Sequence, residues 1–302
     1  MSPIAVLPSF VVLDPLLQSW LLEDIGRGDR TTGSLLMGQS RLGQAKWTAK
    51  QAGIVAGLPI AARIFQLLSN LPNTDSFASR VSFTQVVEEG QACQPGQVVA
   101  TIQGSLETLL MGERVALNLA MRLSGIATLT RQYAEKIADL PARLVDTRKT
   151  TPGLRLLEKY ASQVGGAINH RMGLDDAVMI KDNHIAAAGG IAEAIALIRE
   201  KIPYPLTIEV ETTTVAEVEV ALEHGVDIIM LDNMSLDLMQ EAVQLIRSHH
   251  HPVKIEASGN ITLETIRAVA ETGVDFISSS APITRSSWLD LSMTLESKQT
   301  NS

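Results

Sequence analysis

Residues 146–184 open with Asp146-Thr147-Arg148-Lys149-Thr150-Thr151-Pro152-Gly153 and continue through Asn169-His170-Arg171 to Val178-Met179-Ile180-Lys181-Asp182-Asn183-His184. Arg148 and Lys149 follow the short apolar run Leu144-Val145, and Lys181 follows a second apolar run directly. In an α/β fold, side chains just past the carboxyl ends of buried parallel strands point into the functional site. This stretch therefore predicts an α/β fold with positive charge gathered at one end of its sheet.

The same alternation of apolar runs and helical segments continues through the second half of the chain. Strands are predicted at 143–146, 177–181, 206–210, 227–231, 253–257 and 275–278, with a seventh at 167–169. Helical periodicity falls between them, at 154–164, 191–201, 215–224, 236–248 and 263–271. Apolar strands that alternate with helices indicate a parallel sheet covered by helices. The number of repeated units favours a barrel or an incomplete barrel over an open sheet.

The first half of the chain has a different pattern, which is typical of a small α+β domain. Asp14-Pro15 predicts an N-cap and a first helical residue for a helix that runs to about Asp24. A long helix over 106–138 is predicted to bend at Gly112 and at Ser124-Gly125. Further strands are predicted at 43–51, 81–87 and 98–102, and a further helix from Pro59.

Composition and charge restrict the class of protein. The chain has 302 residues, and its formal net charge of -8 with only 4% aromatic residues argues against nucleic acid as a partner. The single cysteine, Cys93, excludes an internal disulfide and favours a reducing compartment. Residues 1–13 carry no basic side chain, and no apolar run approaches the ~20 residues of a membrane span. We therefore expect a cytoplasmic protein with no membrane contact.

Polar residues end the predicted strands and are separated by sign. The first strands end in cations and the later ones in carboxylates and small hydroxyls: Arg148, Lys149, His170, Arg171 and Lys181, then Glu209, Glu211, Asp232, Glu256, Ser258, Ser278, Ser279 and Ser280. A barrel requires no such ring for its stability, and its active site lies at that end. A positive cluster in an acidic chain predicts an acidic ligand.

Two groups of these residues suit a phosphorylated substrate. Ser258-Gly259-Asn260 precedes a predicted helix, where hydroxyls and backbone N–H groups can hold a phosphate. Glu211 and Asp232 are hard oxygen ligands of the kind that Mg²⁺ shares with substrate phosphates. Their spacing does not indicate a metal site built from protein ligands alone.

Six ordered blocks of this sequence resemble one family, the quinolinate phosphoribosyltransferases, also called nicotinate-nucleotide pyrophosphorylases. The blocks are Gly112-Glu113-Arg114-Val115-Ala116-Leu117-Asn118, Arg122-Leu123-Ser124-Gly125-Ile126-Ala127-Thr128, residues 146–153, Asn169-His170-Arg171, Ile180-Lys181-Asp182-Asn183-His184 and Met230-Leu231-Asp232-Asn233-Met234. The resemblance implies transfer of phosphoribose from phosphoribosyl pyrophosphate to quinolinate with decarboxylation. The products would be nicotinate mononucleotide, pyrophosphate and CO₂, in NAD biosynthesis.

The resemblance also implies an architecture. An N-terminal α/β sandwich domain would cover 1–115 and be joined by the C-terminal segment 284–302, and a seven-stranded incomplete α/β barrel would form the catalytic domain over 116–283. The enzyme would be a homodimer with a shared active site, and assembly beyond the dimer stays open.

Roles for individual residues follow from the same resemblance. Quinolinate, a dicarboxylate, would be bound by Arg148, Lys149, His170, Arg171 and Lys181, with Arg114 supplied by the neighbouring subunit. Phosphoribosyl pyrophosphate would be bound by Lys149, Lys181, Glu211, Asp232, Ser258, Gly259, Asn260, Ser279 and Ser280. The catalytic residues would be Lys149, Glu211 and Asp232, with Mg²⁺ bound beside the two carboxylates.

One loop departs from the family pattern, and two other functions stay open. The loop 280–286 is one residue longer than is usual, which places Arg285 either with the clustered cations or on the surface. A nicotinate phosphoribosyltransferase of the same fold would bind one carboxylate instead of two, whereas the full set of cations favours two. A relative repurposed to bind molybdate would lack transferase activity, and retention of Glu211 and Asp232 argues against it.

Overall fold

The computed structural model describes residues 5–36, 41–70 and 81–296. They form two compact units. The N-terminal unit takes the described parts of Ile4–Leu129, Gln163–Gly165 and Ser286–Ser302, and the barrel unit takes Thr130–Ser162 and Gly166–Arg285. The stretches 1–4, 37–40, 71–80 and 297–302 of the predicted N-terminal domain lie outside the described residues. Among the helices described, none has the length and apolar character needed to cross a bilayer.

The first half of the chain mixes helices with short strands. In chain order its elements are α1 (Phe10–Ile25), α2 (Arg30–Leu36), β1 (Leu42–Ala49), β2 (Gly53–Ile54), α3 (Leu58–Ser69), β3 (Ser82–Gln85), β4 (Ala92–Cys93), β5 (Val98–Ser105) and α4 (Leu106–Lys136). The strands predicted in this half are present, as is the helix predicted from Pro59.

The second half alternates strands with helices. Its elements are β6 (Arg143–Val145), α5 (Arg155–Gly165), β7 (Val178–Ile180), α6 (Asp182–Ala188), α7 (Ile191–Arg199), β8 (Ile208–Thr212), α8 (Val215–Glu223), β9 (Ile228–Asp232), α9 (Leu236–Ser248), β10 (Lys254–Ser258), α10 (Ile266–Glu271), β11 (Phe276–Ser278), α11 (Ala281–Thr284) and β12 (Leu291–Leu295). Strands β6 to β11 form one parallel sheet in the order β6-β11-β10-β9-β8-β7.

The predicted seventh strand at 167–169 is reduced to a single bridging residue. Ile168 pairs in parallel with Val145 of β6. The Ile168 N–H donates to the Leu144 carbonyl at 2.9 Å, and the Asp146 N–H donates to the Ile168 carbonyl at 3.1 Å. The sheet therefore runs from Ile168 at one edge to β7 at the other. The predicted α/β fold with an incomplete barrel is confirmed.

α1 starts earlier than predicted. It begins at Phe10, and the side chain of the N-cap residue Ser9 accepts a hydrogen bond from the Val11 N–H. Asp14 is therefore not the N-cap. Its carboxylate instead accepts two hydrogen bonds, of 2.9 and 2.6 Å, from the Arg63 guanidinium on α3. The prediction failed because a serine cap with no helical pattern around it is less conspicuous than an aspartate followed by proline.

α4 runs without interruption through Gly112 and Gly125, the positions where bends were predicted. Both glycines permit close packing within the N-terminal unit. A Cβ on Gly112 would lie 2.6 Å from the Phe65 ring, and a Cβ on Gly125 would lie 1.9 Å from the Ser287 carbonyl oxygen. The division between the two units, after Leu129, and the predicted boundary at 115/116 both fall within this helix.

The N-terminal unit contains an antiparallel sheet of order β12-β1-β5-β3. The fully buried Trp47 of β1 packs edge-on against Phe65 and Phe83, with ring centroids 6.3 and 5.7 Å away. Such pairs add to the hydrophobic gain from burying large rings. Because β12 pairs with β1, residues from both ends of the chain build this sheet.

Candidate active site

A cavity of about 310 Å³ lies where the barrel strands end. It is lined by Asp146, Thr147, Arg148, Lys149, His170, Arg171, Met179, Lys181, Glu211, Met230, Asp232, Glu256, Ser258 and Ser278. All of these residues belong to the barrel unit. The position, at the carboxyl ends of parallel strands, is where α/β barrels bind their ligands.

Most of the predicted site residues meet at this cavity. Its lining includes Arg148, Lys149, His170, Arg171, Lys181, Glu211, Asp232 and Ser258. The predicted residues Gly259, Asn260, Ser279 and Ser280 follow lining residues in the chain without lining the cavity themselves. Arg114 belongs to the N-terminal unit, on α4. Its side chain is exposed and lies 3.7 Å from Glu113, and its role at a neighbouring subunit's site stays a prediction.

The strand period explains which residues line the cavity. Alternate residues of a strand face the same side of the sheet. Accordingly, three pairs two positions apart line the cavity: Met179 with Lys181, Met230 with Asp232, and Glu256 with Ser258. Ligand-binding roles were predicted for the second member of each pair, at the end of its strand, whereas Glu256 was noted only as a polar strand-end residue and the two methionines were not noted.

Arg148 and Arg171 place two guanidinium groups on one wall. Arg171 Nη1 donates to the Ala177 carbonyl oxygen at 2.9 Å. Arg148 Nη1 is buried and has no hydrogen-bond partner among the described residues. Burial, followed by the charge of Arg148, lowers the pKa of the Arg171 guanidinium. A buried unpaired donor beside a second cation is costly, so this wall suits an anionic ligand.

Lys181 and Glu211 form an ion pair at the cavity. Lys181 Nζ donates directly to Glu211 Oε2. The lysine side chain is partly exposed, whereas the glutamate side chain is mostly buried. Since each is the other's counterion, a ligand that binds one of them changes the electrostatic surroundings of the other.

The turn after β10 is tied to the turn after β9. Gly259 has a φ of +95°, and a Cβ there would lie 2.2 Å from Asn233 Oδ1, so the position requires glycine. Asn260 Nδ2 donates to Asn233 Oδ1 at 3.0 Å, and Asn233 Nδ2 donates to Asp232 Oδ2 at 2.7 Å. These hydrogen bonds orient the Asp232 carboxylate at the edge of the cavity.

The hydroxyls after β11 are used in different ways. Ser278 lines the cavity. Ser279 is buried, and its hydroxyl donates to the Ile261 carbonyl at 3.4 Å and accepts from the Ala281 N–H at 3.2 Å. Ser280 precedes α11 as its N-cap. Arg285 is exposed after α11 and outside the cavity lining, which corresponds to the surface position of the two predicted for it.

Glu209 and Glu256 form a buried cluster with His170 that sequence analysis did not recognise. His170 Nε2 lies 3.1 Å from Glu209 Oε2 and 3.6 Å from Glu256 Oε2. The ligand atoms of the three residues lie within 4.8 Å of one another, a spacing that a metal ion can use. The Arg171 N–H, however, donates to His170 Nδ1 at 2.7 Å. That hydrogen bond leaves the ring proton on Nε2, where it faces the carboxylates.

Burial and neighbouring charges change the protonation of Glu256 and His170. Burial, followed by the charge of Glu209, raises the pKa of Glu256 to about 7. Burial acts to lower the pKa of His170, but the Glu209 hydrogen bond and the charges of both glutamates outweigh it and raise that pKa overall. The Nδ1 hydrogen bond opposes a second proton on the ring, and the geometry supports the neutral imidazole. The sequence signal for this cluster was a carboxylate within each apolar strand, Ile208-Glu209-Val210 and Ile255-Glu256-Ala257.

Glu256→Gln is expected to flatten the pH dependence of stability. The pKa of Glu256 is about 7 in the native protein against an ordinary 4.5, so the native protein keeps a proton that the unfolded chain releases. The free energy of unfolding of the wild type therefore falls as pH rises from about 4.5 to about 7. Glutamine should remove on the order of 2 kcal/mol of this fall, less than the full shift implies because Glu256 interacts with the titratable ring of His170.

Urea unfolding at pH 5, 6, 7 and 8 measures this difference, at one protein concentration throughout. Glu200→Gln, a change at an exposed glutamate, provides the matched control and should preserve the wild-type slope. Parallel stability curves for Glu256→Gln and the wild type would show that Glu256 is ionised across the whole range.

Two family models match this chain. Residues 29–124 match the quinolinate phosphoribosyl transferase N-terminal domain, and residues 126–294 match the quinolinate phosphoribosyl transferase C-terminal domain. A probable nicotinate-nucleotide pyrophosphorylase (carboxylating) from Synechocystis sp. is 60% identical over 292 residues, which cover 97% of this chain and 95% of that protein.

Solved structures show the same relationship. NadC from Streptococcus pyogenes is 40% identical with a TM-score of 0.87, covering 96% of this chain and 98% of that one. Human nicotinic acid phosphoribosyltransferase is only 16% identical, with a TM-score of 0.57 over 96% of this chain and 74% of the human chain, and shares the fold alone. These similarities agree with the charged residues that line the cavity of the barrel unit. The chain belongs to the quinolinate phosphoribosyltransferase family.

Proposed function

We propose that this chain transfers the phosphoribosyl group of phosphoribosyl pyrophosphate to quinolinate, releasing pyrophosphate and CO₂ and forming nicotinate mononucleotide for NAD biosynthesis. The observation that carries this proposal is the buried Nη1 of Arg148, which has no hydrogen-bond partner in the described part of the chain and lies close to the charge of Arg171. Quinolinate has two adjacent carboxylates, so it can supply an anion to each guanidinium. Guanidinium groups bind carboxylates through two parallel hydrogen bonds, which fixes orientation as well as charge.

The remaining cations of the cavity complete the quinolinate subsite. Lys149 and Lys181 bring ammonium groups to the rim, where each can also meet an oxygen of the second substrate. His170 forms part of the wall, and its ring is held by Glu209 on one side and by the Arg171 backbone on the other. Positive charge thus surrounds the position proposed for the two carboxylates.

Phosphoribosyl pyrophosphate is proposed to bind beside the carboxylates, together with Mg²⁺. Glu211 and Asp232 would hold the ion, because Mg²⁺ is commonly bound by one or two carboxylates plus substrate phosphates. The donor set fits: both are hard oxygen ligands at the cavity, and Asn233 already orients the Asp232 carboxylate. When bound, Mg²⁺ supplies positive charge to the departing pyrophosphate.

The 5-phosphate is proposed to lie at the turn after β10. Ser258 lines the cavity, and the required glycine at 259 lets the backbone turn closely beside it. Asn260 holds the turn through Asn233. Ser279 and Ser280, which come directly after the lining residue Ser278, would close the other side of this subsite.

The charges of the cavity suit both steps of the reaction. Positive charge develops at the anomeric carbon as pyrophosphate leaves, and the fixed carboxylates of Glu211 and Asp232 stabilise it. Lys149 completes the proposed catalytic set from the cation side. The pyridine nitrogen becomes cationic once it has attacked. That charge then stabilises the electron pair left on the ring when the adjacent carboxylate departs as CO₂, and a proton takes its place.

We further propose that the protein works in the cytoplasm as a homodimer with a shared site. Arg114 is exposed on its own subunit, where it lies 3.7 Å from Glu113, and its guanidinium is accessible to a neighbouring subunit. α1 exposes the apolar side chains of Val11 and Leu22, which are 85% and 69% accessible. A second copy of the chain would cover such side chains. The buried thiol of Cys93 is consistent with a reducing compartment.

Turnover with quinolinate and with nicotinate tests the proposed function. With phosphoribosyl pyrophosphate and Mg²⁺ present, quinolinate labelled in its 2-carboxylate should release CO₂ and form nicotinate mononucleotide. We expect kcat/KM for nicotinate to be at least about 30-fold lower, since one charge-assisted carboxylate contact is lost. Equal turnover of nicotinate would support the alternative transferase. No turnover of either acid, together with tight molybdate binding, would indicate a binding protein.

A further inference from the structure

Helix α5 carries two consecutive charged residues, Glu158 and Lys159, that are both fully buried. Charged side chains are seldom fully buried unless they are paired. Lys159 is paired with Asp146, which directly follows β6 and lines the cavity. Burial is the largest influence on both partners, and it raises the pKa of Asp146 and lowers that of Lys159. Such a pair contributes little net stability compared with apolar residues of the same size, so its presence calls for another explanation.

The pair is tied to the segment that carries Arg171. Asp146 accepts hydrogen bonds from the His170 N–H at 2.8 Å and from Asn169 Nδ2 at 2.6 Å. Lys159 Nζ approaches the Arg171 carbonyl oxygen at 3.4 Å. The Lys159 carbonyl also accepts from Asn169 Nδ2 at 2.9 Å. The backbone of residues 169–171 is therefore fixed from α5 at several points.

The same helix also fixes the loop that carries Arg148. Glu158 accepts from the Thr151 N–H at 2.8 Å and from the Thr151 hydroxyl at 2.9 Å. Arg155, one turn before Lys159, spans both loops: its Nε donates to the Thr150 hydroxyl at 3.1 Å, and its Nη1 donates to the Met172 carbonyl at 3.1 Å. One helix thus holds the two segments that present the guanidinium groups.

We propose that Lys159, through Asp146, is a positioning residue that sets the distance between the guanidinium groups of Arg148 and Arg171. This inference rests on the proposed function, in which those groups bind the two carboxylates of quinolinate. The Lys159 side chain touches no substrate. It acts by holding the backbone of residues 169–171 against β6, so that the second arginine meets a carboxylate at a fixed separation from the first. Recognition of two carboxylates at once depends on that separation, whereas recognition of one does not.

Lys159→Met tests this role. The variant keeps the length of the side chain and removes the charge and the donor. We expect its dissociation constant for quinolinate to rise about 10- to 100-fold, because small displacements of a binding group have effects of this size. The dissociation constant for phosphoribosyl pyrophosphate with Mg²⁺ should change less than about threefold. The preference for quinolinate over nicotinate should fall together with the affinity for quinolinate. A general loss of structure would weaken the binding of both acids and would leave that preference unchanged.

Leu157→Ala is the matched control for loosening of α5. Leu157 is buried on the same helix, and its truncation lowers the melting temperature through packing alone. It should leave the quinolinate-to-nicotinate preference as in the wild type. If Leu157→Ala erodes that preference as much as Lys159→Met does, the effect belongs to the helix in general and the proposal is overturned.

A second variant decides the question if Lys159→Met fails to fold around an uncompensated Asp146. Asp146→Asn combined with Lys159→Met removes both charges and should melt near the wild-type temperature. A raised quinolinate dissociation constant in this folded double variant supports the proposal, and wild-type affinity overturns it. Failure of the wild type to bind or convert quinolinate would instead refute the proposed function. Unchanged quinolinate affinity in Lys159→Met, with normal wild-type turnover, would refute the positioning role alone.

Discussion

Arg171→Ala is expected to lower kcat/KM for quinolinate by about 100-fold or more. The change removes a guanidinium proposed to bind a carboxylate through charge-assisted hydrogen bonds, each of which contributes roughly 1.5–3 kcal/mol. It also leaves Arg148 without the second half of the site. Steady-state kinetics with quinolinate varied at saturating phosphoribosyl pyrophosphate measures the loss. The fold should be retained, because the Arg171 guanidinium donates to only one group in the described part of the chain, the Ala177 carbonyl.

The control for this variant is Arg267→Ala. Arg267 is an exposed arginine of the barrel unit that binds Asp139 and Glu271 away from the cavity lining. Its loss should leave kcat/KM within about twofold of the wild-type value, because the side chain lies away from the cavity and exposed ion pairs contribute little to stability. Equal kinetics for Arg171→Ala and the wild type would remove Arg171 from the quinolinate subsite and refute the assignment of the cation wall.

Mixing two inactive variants is expected to restore activity. Arg114→Ala and Lys149→Ala should each have below about 1% of wild-type turnover if each removes a charge that the reaction requires. When the two proteins are mixed and allowed to exchange subunits, about half of the dimers become mixed. One of the two sites in each mixed dimer is then intact, so activity should recover to about one quarter of the wild type.

The matched control mixes Lys149→Ala with Arg171→Ala. Both of these residues line the cavity of a single barrel unit, so in every mixed dimer each site still carries one defect. No recovery is expected from this pair. If Arg114→Ala with Lys149→Ala also fails to recover while subunit exchange is shown by a mass or fluorescence label, Arg114 does not serve a neighbouring site.

Periodicity predicted the barrel strands well because each strand is buried on both faces and reads as a continuous apolar run. It could not show that the seventh strand would shrink to Ile168, since a single bridge depends on the partner strand and leaves no period in the sequence. The glycines of α4 are ambiguous in sequence for a similar reason. Bending and close packing both favour glycine, and only the approach of Phe65 and of the Ser287 carbonyl distinguishes them.

The candidate site was predictable where a charged or hydroxyl side chain marks the end of a strand. Lys181, Asp232 and Ser258 were selected on that ground, and all three line the cavity. Glu256 lines it as well, but it lies one strand period deeper, and an acidic residue inside an apolar run gave no hint of its partner His170. Contacts between residues that are separated in the chain depend on the fold. For that reason the sequence pattern could not predict the hydrogen-bond network around Lys159 and Asp146 either.

The pairing of β12 with β1 has a consequence for how the protein is made. The N-terminal sheet draws one edge strand from residues 291–295, which leave the ribosome only after the whole barrel has been synthesised. During synthesis the edge of β1 stays unpaired until these residues emerge, and an unpaired strand edge can pair with other chains. Truncating the chain after the barrel would therefore leave the N-terminal sheet without its edge strand β12, even if the barrel itself folded correctly.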